Sequence, residues 1–77
     1  MNKKDVNDAG ELAMLEASMK LAASDYQSAY RRWKKSHGLD VGAEHTMREC
    51  EQFIAKWLGE KGEEAVAYLR RKVDEGR

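Results

Sequence analysis

The chain has 77 residues, no proline and 14 basic against 14 acidic side chains, so its formal net charge is zero. Ala, Glu, Lys, Leu and Arg supply about half of it, and β-branched residues number six, too few for a β-sandwich or barrel. The length excludes a doubly wound α/β fold and leaves room for one small helical unit.

Residues 1–7 read as a polar lead-in, with Asp8 and Glu11 spaced as a capping-box pair. From there Leu12, Leu15, Met19, Ala22, Tyr26, Ala29 and Trp33 follow one another at alternating spacings of three and four, an a/d rhythm held for three heptads. Ala23 and Tyr30 flank that seam. The spacing predicts a helix over about 8–37, ending on Lys34, Lys35 and His37, cations that suit the negative end of the helix dipole. Gly38 is then the expected C′ residue, with Leu39 making the hydrophobic contact of a Schellman ending.

The short stretch 38–42 sends the chain back antiparallel. A second helix over about 41–58 carries the seam Ala43, Met47, Cys50, Ile54, Trp57. Asp40 or Thr46 can cap it, and Thr46 with Glu49 makes the cleaner capping box. Gly59 to Gly62 reads as a break, and a third helix over about 63–75 sets Ala65, Val66, Leu69 and Val73 on one face.

The fold expected is all-α: a long antiparallel helical hairpin whose second arm is broken near residues 59–62. Helices 2 and 3 laid end to end would match helix 1 at roughly 45 Å. That layout puts Arg70, Arg71 and Lys72 far from Arg31 and Arg32. The alternative is a compact three-helix bundle, which leaves part of helix 1 uncovered. Met14 and Leu21 lie outside the a/d seam and widen the apolar face, which marks them as candidates for a dimer or partner surface.

No catalytic constellation emerges. His45 and Cys50, five apart on one helix, point in different directions, and Cys50 fits a small core hydrophobe. Neither a zinc-ligand spacing nor a phosphate-binding glycine loop occurs, so no metal and no cofactor are expected. A lone cysteine suits a reducing cytoplasm. The richest apolar window, residues 12–23, is interrupted by Glu16 and Lys20 and is too short to span a bilayer, so no membrane association is expected.

The stretch from Tyr30 to His37 stands apart, with four cations, two aromatics and no acid. Arg31, Arg32 and Lys35, with Met14 and Leu21, are the candidate protein-binding residues. Arg31, Arg32, Lys34 and Lys35 are also the candidate phosphate contacts, with Tyr30 and Trp33 as stacking groups. Heptad placement argues that both aromatics instead face the core, and zero net charge argues against a general nucleic-acid binder.

The expectation is a non-enzymatic protein-binding module, an inhibitor, adaptor or regulatory subunit of the kind phages and mobile elements use as accessory proteins. The alternative is a small dimeric nucleic-acid-associated regulator. A homodimer is plausible in either case, because a core this small gains little stability by itself.

Overall fold

In the computed structural model, which describes residues 3–76 and the side chains from Glu16 onward, three helices follow one another: α1 (Lys3–Lys35), α2 (Val41–Leu58) and α3 (Lys61–Glu75). The all-α class holds. Of the two layouts, the chain adopts the bundle. α2 runs antiparallel to α1, the chain turns at Gly59 and Glu60, and α3 doubles back along α2 instead of extending it. Contacts fix these directions. Tyr26 meets Glu51 and Arg70, while Tyr30 and Lys34 meet Asp74, so α3 rises parallel to α1. The Arg70 side chain therefore lies beside the cationic half of α1 and not at the far end of a hairpin.

The helix limits differ from the expected ones for local reasons. α1 already runs at Lys3, ahead of Asp8, because nothing in Lys3 to Asn7 breaks a helix. It stops at Lys35, two residues before His37. His37 and not Gly38 is the C′ residue, with φ of 58°, and Gly38 follows at 82°. The Gly38 amide bonds the Trp33 carbonyl at 2.9 Å and the His37 amide the Lys34 carbonyl at 3.0 Å, the paired bonds of a Schellman ending. Leu39 makes no hydrophobic closure here and is 79 % exposed. Its place in the turn is set by Ser36. That hydroxyl donates to the Trp33 carbonyl at 2.8 Å and accepts from the Leu39 and Asp40 amides at 3.0 and 2.8 Å.

Asp40, not Thr46, caps α2: its carboxylate accepts the Ala43 amide at 2.9 Å. α3 begins at Lys61, two residues early, because Gly62 is an interior packing position and not a breaker. A Cβ on Gly62 would lie 3.1 Å from the Ala55 Cα, so its absence lets α2 and α3 close together.

The core follows the predicted seams for most of their length. Tyr26, Ala29, Tyr30, Ala43, Met47 and Cys50 form one buried cluster, with Trp33, Val66, Leu69 and Val73 packed against it, and Ile54 is also buried. Trp57 departs from its seam. It is 48 % exposed and tilts against Phe53 in the last turn of α2. At about 27 Å, α2 flanks little more than half of α1, which is about 50 Å long. The molecule measures 53 × 23 × 20 Å. Among the described residues, no helix is long and apolar enough to cross a membrane.

Candidate functional site

The cationic end of α1 divides along its own circumference. Residues 26, 29, 30 and 33 point into the bundle, so Tyr30 is buried and Trp33 is half-buried, with its indole against Gly38. The Tyr30 ring is not available to stack on a base, and Trp33 offers only the part of its ring that the bundle leaves uncovered. Lys34 sits one step around the helix and bonds Asp74 of α3 at 2.6 Å, where the Tyr30 hydroxyl also donates to the Asp74 carboxylate at 3.2 Å. Arg31, Arg32 and Lys35 lie off the seam, Arg31 and Lys35 along a groove that α1 forms with Val73, Asp74 and Gly76 of α3. All three are exposed, and among the described residues they form no ion pair.

Just beyond them the turn presents Leu39 and Val41, 79 % and 76 % exposed. Ser36 and the Asp40 cap hold this turn, so the two aliphatic side chains stand out from a backbone whose hydrogen bonds are largely made internally. Cations and exposed aliphatics within a few residues of one another make this corner amphipathic, with Leu39 and Val41 in addition to the expected apolar candidates Met14 and Leu21. The signal was available: Leu39 stands in the turn and Val41 opens α2, both outside the predicted seams.

Leu21 is 65 % exposed and lies two to three turns upstream. With Ser18, Ala22, Asp25, Glu49, Cys50 and Phe53 it lines a groove between α1 and α2. The structure does not bring Leu21 into contact with the basic residues. The Met14 side chain lies outside the described residues. Burial raises the Cys50 thiol pKa, and the carboxylates of Asp25, Glu49 and Glu51 add to it. The thiol is thus held protonated, the opposite of a nucleophile's need.

A polar cluster at the junction of the three helices was not anticipated. The Tyr26 hydroxyl donates to the Glu51 carboxylate at 2.9 Å and accepts from Arg70 Nε at 2.5 Å, while Arg70 Nη2 bonds the same Glu51 oxygen at 3.0 Å. The guanidinium also lies 5.8 and 5.5 Å from the Tyr26 and Tyr30 ring centres. Burial pushes the Tyr26 phenol up to about 12. Its hydrogen bond to Tyr26, helped by Glu51, raises the Arg70 pKa. The signal for this cluster was Tyr26 itself, since a tyrosine at a seam position needs a partner for its hydroxyl. The three groups are joined by these bonds across α1, α2 and α3, so the cluster clamps the helices together.

Among the described residues no group of three or more His, Cys, Asp or Glu side chains could hold a metal ion. Comparison with protein-family models, curated proteins and solved structures finds no significant match.

Proposed function

We propose that this chain is a non-enzymatic protein-binding module that docks on a larger protein as an inhibitor, adaptor or regulatory subunit. One observation carries the reading: exposed Arg31, Arg32 and Lys35, without ion-pair partners among the described residues, adjoin exposed Leu39 and Val41 on a turn fixed by Ser36 and Asp40. Arginine is enriched in binding hot spots, the exposed aliphatic side chains add apolar area that a partner would bury, and a pre-ordered turn loses little entropy on docking. Leu21 extends the candidate contact along the outer face of α1. The nucleic-acid alternative is left with phosphate contacts from Arg31, Arg32, Lys34 and Lys35 and the uncovered part of the Trp33 ring, since Tyr30 is buried in the core.

The test is affinity capture from native host lysate with and without nuclease, using the parental chain and an Arg31→Glu/Arg32→Glu double variant. The expected result is a stoichiometric protein retained by the parent and lost by the variant, with helicity by circular dichroism unchanged. Equal capture by both removes the corner from the account. Recovery of nucleic acid, with proteins lost on nuclease treatment, replaces this reading with the alternative.

A further inference from the structure

The outer face of α1 carries a second rhythm that the core leaves unused. Ser18, Leu21, Asp25, Ser28, Arg32 and Lys35 follow one another at spacings of three, four, three, four and three, and all six are exposed. Such spacing keeps side chains in one stripe along a helix, suited to pairing with another helix. The stripe is ordered in character. Leu21 is apolar, Asp25 acidic and Ser28 small, and Arg32 and Lys35 are basic, with Arg31 alongside.

Asp25 and Arg32 stand two turns apart, about 10 Å along the axis, too far to pair within one chain. Among the described residues neither forms an ion pair. Turned end for end about Ser28, the stripe becomes its own complement. Asp25 falls opposite Arg32, that arginine falls opposite Asp25, and Leu21 falls opposite Lys35. Exposed Ser24 and Ser28, both small, sit at the crossing and let two backbones approach closely.

We infer that the occupant of this face is a second copy of the same chain, α1 against α1, antiparallel about a two-fold axis near Ser28. Each ion pair then forms twice. Leu21, together with half-buried Phe53 beside it, is covered by the aliphatic stem of the other copy's lysine. The interface is isologous, so assembly closes at two. Zero net charge leaves no overall repulsion between the copies. The dimer does not depend on the partner proposed above. It engages the same arginines, so a partner and a second copy compete for them.

The test is sedimentation velocity on the full chain over a wide concentration range, with Arg31→Glu/Arg32→Glu and Asp25→Arg as separate variants and as an equimolar mixture. The parent is expected to dimerise, more weakly as salt rises. Each variant alone faces like charges across the axis, and its dissociation constant is expected to rise at least about tenfold. The mixture is expected to restore a dimer, because every pair across the axis is again opposite in sign. Circular dichroism checks that helicity is kept. Should a reversal lower it, Arg32→Gln and Asp25→Asn give the same test with smaller shifts. A parent that stays monomeric, assemblies larger than two, or variants that neither weaken alone nor recover together overturn the inference. A monomeric parent leaves the partner reading standing, and loss of capture beside an intact dimer does the reverse.

Discussion

Raising the pH should strip the Tyr26 cluster of its contribution to stability. The phenol is enclosed at the three-helix junction with the Glu51 carboxylate as its acceptor. Burial is the main reason its pKa rises to about 12; Glu51 adds to the rise and Arg70 opposes it. In the unfolded chain the same group loses its proton near pH 10. The folded-state value is the higher one. Its contribution is therefore complete below about pH 10 and is lost as the pH climbs through about 12.

Two pK units correspond to about 3 kcal/mol. Tyr26→Phe isolates this effect, because the two chains differ only in that hydroxyl. Near neutral pH the parent should be the more stable by about 1.5–3 kcal/mol, the value of a hydrogen bond to a charged acceptor. Between about pH 10 and 12 that advantage should shrink by up to about 3 kcal/mol, enough to cancel it, since the phenylalanine variant has nothing to ionise. Urea unfolding followed by circular dichroism at stepped pH measures the difference. Stability curves that stay parallel through this range would refute the reasoning. So would a native-state tyrosinate absorbance that places Tyr26 ionisation near pH 10.

Two further substitutions probe the framework that sets the corner and the third helix. Asp40→Ala should cost about 1 kcal/mol and lower the melting temperature by several degrees, whereas Asp40→Asn should keep most of the cap. Gly62→Ala sets a gain in helix propensity of at most about 1 kcal/mol against a Cβ placed 3.1 Å from the Ala55 Cα and 3.5 Å from the Ile54 carbonyl oxygen. Those neighbours are backbone atoms with little room to yield. Denaturant unfolding should show net destabilisation, and a stability increase would remove the close-approach role of this glycine.

Periodicity made the core legible where α1 and α2 lie side by side, because there the two seams bury their residues against each other; Leu12 and Leu15 of the α1 seam lie outside the described side chains. Tyr26, Ala29, Ala43, Met47 and Cys50 sit where their spacing places them. The direction of α3 was not legible. Val66, Leu69 and Val73 would serve equally on a helix extending α2 or folded back on it. The choice is made by Arg70 and Asp74 finding partners about forty residues away, a relation that local spacing does not encode. The end of α1 was misplaced for a similar reason. Gly38 is the obvious left-handed residue, but Ser36, by binding two amides of the turn, lets His37 take that conformation one residue earlier. At the site, exposure of Arg31, Arg32 and Lys35 followed from their offset to the seam. The pairing of Lys34 with Asp74 depended on the fold of α3.

The clasp that holds α3 works as a directional key. Along one edge of α1, Tyr26 and Gln27 meet Arg70 and the Leu69 carbonyl, and further along Tyr30 and Lys34 meet Asp74, about a turn beyond on α3. The apolar side of α3 is anonymous by comparison, because one aliphatic residue fits a neighbour's socket nearly as well as another. A helix slid by one turn or laid in reverse would still bury valine and leucine, yet it would strand a guanidinium and a carboxylate without their mates. The identity of the third helix is thus written in three polar addresses, and its hydrophobic residues are left free to drift among aliphatic alternatives.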